Sequence, residues 1–142
     1  MTRSCFRRSG SSPRRERPSP FTNDRYDEEA YAEADGVELS RVHITRTFGG
    51  DLDGESTAEL MIARSEGGGG YVGHDRISGT LGGKAGSFVF QHAGIMGPDG
   101  VTNTGTIVPG SGTGGLEGIT GEGTMLADDE GSHSLTLTYE LP

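Results

Sequence analysis

Cysteine, tryptophan and long apolar runs are scarce or missing in this sequence. Its 142 residues include one cysteine, Cys5, and no tryptophan. A single cysteine excludes a disulfide within the chain and a CxxC metal half-site. No run approaches the roughly 18 consecutive apolar residues of a membrane helix, and residues 1–20 lack the apolar centre of a secretory signal. We therefore expect a cytoplasmic protein with no membrane partner.

Positive charge is scarce beyond the first 20 residues. Residues 1–20 contain six arginines and one glutamate, whereas the remaining residues hold 6 basic and 20 acidic side chains. An acidic body of this kind repels nucleic acid and anionic membranes. We therefore expect no nucleic-acid partner for the body of the protein.

The first 20 residues differ from the rest in composition. They are rich in arginine, serine and proline and have almost no apolar side chains, so burial cannot offset the entropy lost on ordering them. We predict a disordered tail over residues 1–20 and one folded domain over residues 21–142. Such a tail is either a loose tail or an upstream extension of the reading frame. The alternative is a functional segment, namely a transit peptide or a nucleic-acid-binding arm.

Glycine is abundant, with 26 residues, and the apolar residues alternate with polar ones. Glycine costs about 0.5 to 1 kcal/mol inside a helix, which argues against a helical bundle. A period of two is typical of half-buried strands. The alternation predicts eight strands, over residues 21–34, 37–48, 56–63, 71–81, 86–93, 101–108, 119–126 and 132–141.

The order of these strands favours an antiparallel meander, because short glycine-rich turns join them and no helical pattern intervenes. A sandwich and a barrel both fit this pattern. An even number of sequential hairpins favours closure, which removes exposed edges. We therefore predict an all-β fold, a single closed antiparallel barrel of about eight strands. Its interior would hold packed side chains or one small ligand.

Four segments of the chain resemble a known bacterial family. They are TRTFGGDLDGESTAELM (45–61), GYVGHDRISGTLGGKAGSFVFQHAG (70–94), VPGSGTGGLEGITGEG (108–123) and SHSLTLTYELP (132–142). From residue 26 onward the chain is similar to the family of domain of unknown function 3224. The resemblance implies a barrel like those of allene oxide cyclase and dirigent proteins, but no established activity. The acidic first strand departs from the aromatic start that the family implies.

Two familiar kinds of functional motif are not supported by the sequence. GSGTGG (110–115) is not followed by the lysine and helix of a phosphate-binding loop, so we interpret it as a strand connection. The four histidines, His43, His74, His92 and His133, share no short ligand spacing. We expect no metal site and no cofactor.

Polar residues in the middle of otherwise apolar or glycine-rich strands are the candidates for function. Asp75 and Glu59 are the candidate catalytic residues, because two carboxylates close together in a dry cavity would have one raised pKa and could transfer protons. They occur on neighbouring predicted strands. The candidate ligand-binding residues are Tyr71, His74, Arg76, Phe88, Phe90, Gln91 and His92. The alternation leaves open which of these polar residues face inward. The alternatives to catalysis are a satisfied hydrogen-bond network or solvated groups at the rim, such as an ion pair of Asp75 with Arg46 or Arg76.

Three functions remain open on this evidence. The barrel binds an apolar small molecule enclosed in its interior, or it is a cofactor-independent isomerase or cyclase acting on a lipid-, terpenoid- or polyketide-like substrate. The third is a non-enzymatic structural oligomer, in which the chain pairs with copies of itself. An apolar cavity favours the first, a cavity with a buried carboxylate the second, and a filled interior the third.

Overall fold

The computed structural model describes residues 13–127 and 130–142, and every regular element in these ranges is a β-strand. None of the described residues forms a helix that could cross a membrane. The strands are β1 (Arg14–Arg15), β2 (Ser19–Ala34), β3 (Val37–Phe48), β4 (Leu52–Ser65), β5 (Gly68–Leu81), β6 (Lys84–Gly97), β7 (Gly100–Ile107), β8 (Thr113–Gly114), β9 (Thr120–Ala127) and β10 (His133–Glu140).

Eight of these strands form a closed ring of antiparallel pairs, in the order β2-β3-β4-β5-β6-β7-β9-β10 and back to β2. The ring confirms the predicted all-β fold and its eight main strands. Its closing seam is short, because β10 pairs with β2 only through Ser19, Pro20 and Phe21. Strand β1 pairs with Thr138 and Tyr139 of β10, on the side of β10 that faces β2, and β8 pairs with β6.

The hairpin between β2 and β3 shows how the turns follow from the sequence. Asp35 and Gly36 both have positive φ, 55° and 83°. A two-residue turn of this kind matches the twist of the flanking strands, and Asp-Gly suits it because both residues tolerate positive φ. The turn fixes the register of β3 and hence which of its side chains face inward.

Inward-facing side chains form two apolar clusters. The larger cluster includes Phe48, Ile77, Phe88 and Phe90, and the smaller includes Val42, Ile44 and Leu60 with Tyr71 packed against it. Burial of both Phe88 and Phe90 confirms that their shared strand face belongs to the core. A layer of polar side chains lies between the two clusters along β3, β4, β5 and β6.

The predicted tail requires a correction where the structure describes it. Residues 1–12 lie outside the described residues, but Arg14 and Arg15 pair with β10, and the Glu16 amide donates to the Leu137 carbonyl at 3.1 Å. The Ser19 side chain is fully buried, and its Oγ accepts a hydrogen bond from the Leu52 amide. The pairing uses backbone groups, which composition does not reveal, so the folded domain begins before residue 21.

Glu16 is buried near this seam and makes the stability of the fold sensitive to pH. Burial raises the pKa of its carboxyl group to about 7; the hydrogen bond from Ser19 opposes this shift, and the charge of Asp51 adds to it. Oδ2 of Asp51 accepts the Arg17 amide, whereas Oε2 of Glu16 has no partner among the described residues. A carboxyl group with a raised pKa stabilises the fold below its unfolded pKa, and this stabilisation is lost as pH rises through the folded value.

Glu16→Gln should therefore lose stability less steeply than the wild type between pH 4.5 and about 7. At pH 8 we expect the variant to be more stable by about 1 to 2 kcal/mol, a figure reduced to allow for solvent screening. Denaturant titration at several pH values measures the difference. Glu38→Gln, at an exposed position on β3, is the matched control. Parallel profiles of stability against pH for wild type and Glu16→Gln would contradict a raised pKa for the Glu16 carboxyl group.

Candidate functional site

The polar layer inside the ring is built by strand alternation. On β3 the inward positions read Val42, Ile44, Arg46 and Phe48, so Arg46 lies between apolar neighbours. Ser56 on β4, Asp75 on β5 and His92 on β6 occupy the same level and are also buried. The antiparallel register brings these side chains from four neighbouring strands to one place.

Asp75 is the centre of the layer. Its Oδ1 accepts hydrogen bonds from Nε of Arg46 and Oγ of Ser56, each at 2.8 Å, and its Oδ2 is 3.4 Å from Nη2 of Arg46. The side chains of Arg46 and Asp75 are 5% and 0% exposed. A buried carboxylate of this kind is tolerated only because a cation and further donors surround it.

Arg46 has partners on its other side as well. Its Nη1 donates to Oδ1 of Asn23 at 2.8 Å, and its guanidinium carbon lies 5.1 Å from the centre of the Phe21 ring. Cation–π contacts of this type stabilise a desolvated guanidinium. Arg46 is therefore held between β5 and β2 and links the polar layer to the closing seam of the ring.

His92 and Tyr71 extend the network away from Arg46. Nε2 of His92 lies 2.7 Å from Oδ2 of Asp75, and Oη of Tyr71 lies 2.8 Å from Nδ1 of His92. An ionised Asp75 only accepts, so Nε2 carries the hydrogen and Nδ1 of a neutral imidazole accepts from the Tyr71 hydroxyl. Tyr71 is only partly buried, and at the opposite end of the network Asn23 is exposed.

The protonation states follow from these contacts. Burial alone would raise the pKa of Asp75, but the hydrogen bond from His92 and the charge and hydrogen bonds of Arg46 outweigh it, so the pKa is lowered. Burial raises the pKa of Tyr71; the positive charge of Arg46 opposes this shift and the charge of Asp75 adds to it. At neutral pH, Asp75 is therefore an anion and Tyr71 is a neutral phenol.

The predicted pair of catalytic carboxylates is not formed. On β4 the residue opposite Asp75 is Ala58, and Glu59 points to the outer face, where it contacts His43. The pKa of Asp75 is lowered rather than raised. Glu59 points away from Asp75 because adjacent residues of a strand lie on opposite faces, and its neighbour Ala58 is the residue opposite Asp75. The expectation that the two carboxylates share one dry site is wrong.

The other predicted site residues divide between the two faces. Tyr71, Phe88, Phe90 and His92 face inward, and the Phe90 ring stacks on His92 with their centres 5.3 Å apart. His74 and Gln91 face outward, and Nε2 of His74 is 3.0 Å from Oε1 of Gln91. Arg76 is exposed on the outer face, away from the polar layer.

The sequence suggests Arg46 only as a rim partner of Asp75, whereas their ion pair is buried, and it does not point to Ser56 or Asn23 as members of a site. A signal for Arg46 exists, because a charged residue between Ile44 and Phe48 on the apolar face of a strand needs a buried partner. No such signal exists for Asn23, since its strand has an irregular register between Asn23 and Arg25. Among the described residues, no three or more histidine, cysteine or acidic side chains converge as metal ligands.

The outer face of β3 to β7 carries two adjoining grooves with volumes of about 440 and 490 Å³. Met61, Val72, Ala93 and Thr104, which are direct neighbours across β4 to β7, line both grooves. Glu59, His74, Gln91 and Thr106 form the adjacent row in the first groove. An apolar row and a polar row therefore lie side by side on the outer face.

The expected location of a ligand, enclosed within the ring, does not match these grooves. At the level of the polar layer the interior is filled by side chains that are at most 5% exposed, including Arg46, Asp75 and His92. Beside that layer, the Phe90 ring lies across Gly105 of β7, where an added Cβ atom would clash with the ring. The two grooves are outside this packed region.

The fold and the inner and outer faces of its strands together define a class of protein. It is a small antiparallel β-ring with a charged layer in its core. The family model described as "Protein of unknown function (DUF3224)" matches residues 18–139. The chain therefore belongs to the DUF3224 family, as the sequence motifs predicted. No curated protein matches the chain.

A solved structure has the same architecture. It is a DUF3224 protein of unknown function from Shewanella oneidensis MR-1, determined at 1.84 Å resolution. It superposes with a TM-score of 0.77 and is 28% identical, and the match covers 93% of this chain and 98% of that one. The family and its neighbour thus establish the fold and leave the activity open.

Proposed function

We propose that this protein binds a small molecule with an apolar body and one polar end, and that the ligand lies in the groove on the outer face of β3 to β7. One observation carries the proposal: an apolar row and a polar row lie side by side along the first groove, and the apolar row also lines the second. Ligand sites in proteins are commonly apolar concavities of about 300 to 1,000 Å³ with a few polar groups that fix orientation.

The apolar row supplies the binding surface. Val72 is 57% exposed and Met61 is 39% exposed, and the register places Val72 between Met61 and Ala93. Side chains directly opposite one another on neighbouring strands have Cβ atoms about 4.5 to 5.5 Å apart, so the row forms a contiguous patch. A ligand that covers it removes apolar surface from water, which favours binding.

The polar row supplies orientation. His74 contacts Gln91, and Glu59 contacts His43, so these groups are held in place before a ligand arrives. A hydroxyl, carbonyl or amide at one end of the ligand matches these donors and acceptors. Lipid-, terpenoid- and polyketide-like molecules have this shape and polarity, which keeps the ligand class expected from the sequence while moving its site.

Val72→Asp should weaken binding of Nile red, an uncharged probe with an apolar ring system and a polar end, at least tenfold. A carboxylate in the middle of the apolar row must be desolvated when the probe binds. Fluorescence titration gives the affinity. The matched control is Val101→Asp, because Val101 is 67% exposed at the start of β7 and does not line either groove.

Equal probe affinity for the two variants would contradict the groove as the ligand site. Light scattering on the same variants tests the other use of this face, as a contact between copies of the chain. If the wild type is an oligomer that Val72→Asp dissociates and Val101→Asp does not, the structural oligomer is supported in place of ligand binding.

The cytoplasmic location also stays a prediction, which cell fractionation tests.

A cofactor-independent isomerase or cyclase is the second candidate, favoured by the Tyr71-His92-Asp75 chain. When the His92 imidazole is neutral, the Tyr71 hydroxyl donates to its Nδ1, so the Tyr71 oxygen can accept a proton from a substrate while its own proton passes to the imidazole. Asp75 stabilises the imidazolium that results. In this proposal Tyr71 is the acid or base in place of Asp75 or Glu59, and Asp75 is a positioning residue.

A further inference from the structure

We propose that the free edge of β2 over Arg25–Ala30 is a docking site for an extended basic polypeptide segment, which adds to the sheet as a further strand. Within residues 13–127 and 130–142, the only pairing partner of β2 beyond Phe21 is β3. Alternate residues of an antiparallel strand direct their N–H and C=O groups away from the paired neighbour. These groups are available to another chain.

The free edge is long and stands outside the core. Every residue from Thr22 to Ala34 is exposed. Register irregularities fall between Asn23 and Arg25 and between Ala30 and Ala32, so the regular run between them is Arg25–Ala30. Six residues of strand span about 20 Å, which is sufficient for several backbone hydrogen bonds to an added strand.

The charge of the edge selects the occupant. Thr22–Ala34 contains five acidic residues and one basic residue. A second copy of this strand would bring acidic side chains opposite acidic side chains, which is destabilising across a strand pair. A segment containing arginine or lysine places opposite charges there, and the attraction raises the rate of encounter.

Two tyrosines on this strand add a second contact for a basic partner. Tyr26 and Tyr31 are 48% and 49% exposed. The guanidinium carbon of Arg41 lies 5.8 Å from the centre of the Tyr31 ring, so the chain already places one cation over one of these rings. Tyrosine is also enriched among the residues that contribute most to binding at protein interfaces.

The test uses the full chain and a synthetic 12-residue peptide in which lysine and arginine alternate with valine and threonine. A twin peptide carries N-methyl groups on alternate backbone nitrogens, so it keeps the charge but loses strand hydrogen bonds along one edge. The unmethylated peptide should bind at least tenfold more tightly than the twin. Hydrogen exchange should show new protection of amides within residues 22–34.

The Glu29→Lys/Glu33→Lys variant should weaken peptide binding at least tenfold. The control is Glu55→Lys/Glu117→Lys, which makes the same change in net charge at exposed positions on β4 and in the connection after β8. Equal binding of the two peptides, equal weakening by the two double variants, or no new protection in residues 22–34 would overturn the proposal. Concentration-dependent protection of that strand without peptide would assign the edge to a second copy and would also overturn it.

Discussion

Asp75→Asn is expected to lower the free energy of unfolding by about 3 to 5 kcal/mol, because removing one partner of a buried ion pair leaves the other charge uncompensated. The uncompensated charge is that of Arg46, whose side chain is 5% exposed. The amide also replaces one of the two oxygens that accept hydrogen bonds, Oδ1 from Ser56 or Oδ2 from His92, with an N–H₂ donor. The group facing that nitrogen must then reorient or lose its hydrogen bond.

The pH dependence of this loss has a fixed direction. A carboxyl group whose pKa is lowered in the fold stabilises the protein above its unfolded pKa. That stabilisation disappears as pH falls from the ordinary value of 3.8 through the lower folded value. The difference between wild type and Asp75→Asn should therefore be constant near neutral pH and shrink in strong acid.

Denaturant titration of single and double variants measures the coupling of the pair. Arg46→Met combined with Asp75→Asn should cost less than the sum of the two single changes, because the double variant buries no unpaired charge. Asp53→Asn, exposed on β4, is the control and should change stability by less than about 0.5 kcal/mol. A loss below 1 kcal/mol for Asp75→Asn, or additive single effects, would show that the pair is not the centre of the polar layer.

The strands were predictable because their alternation is regular and their turns are marked. β3 has the predicted bounds, Val37–Phe48, since apolar residues occupy every second position and Gly49 follows. β4 begins at Leu52, earlier than the predicted start at residue 56, because Leu52 packs in the core despite its polar neighbours. Local polarity concealed the buried leucine.

The candidate site was predictable only in part, because it depends on which face each polar residue takes. Ile77 and Leu81 share the parity of Asp75, which places Asp75 inside, but the glycines of β5 weaken that pattern. On β4 the even positions are the consistently apolar ones, so Glu59 belongs outside, and exposed Met61 obscured this. The convergence of four strands on Asp75 depends on pairing register between strands, which no single strand encodes.

The seam of the ring is the part that the sequence predicts least. Pairing of β1 with β10 and of β2 with β10 is made by backbone groups over two and three residues. Short backbone pairings leave no periodic pattern of side chains. Between residues 13 and 20 the buried residues are polar, namely Glu16 and Ser19, so composition predicts a disordered tail there.

Phe90→Ala is expected to destabilise the fold by about 3 to 5 kcal/mol, the usual cost of removing a buried phenylalanine side chain. Phe90 is fully buried within the larger apolar cluster. Its ring lies over Gly105 on the neighbouring strand, where the absence of a Cβ atom makes room for it. Removal leaves a space between two backbones that the paired strands β6 and β7 prevent from closing, so the cost includes a cavity as well as lost burial.

Phe90→Ala should also loosen the polar layer. This second effect distinguishes Phe90 from an ordinary core residue. The ring stacks on the imidazole of His92, and His92 contacts both Asp75 and Tyr71. Phe88→Ala should cost a similar amount without this effect, so NMR signals of the His92 ring should shift only in Phe90→Ala. Val89→Ala, at the partly buried position between them on the opposite face, should cost about 1 kcal/mol or less. Losses below 1 kcal/mol for both phenylalanine variants would mean that Val89, and not the phenylalanine pair, faces the core.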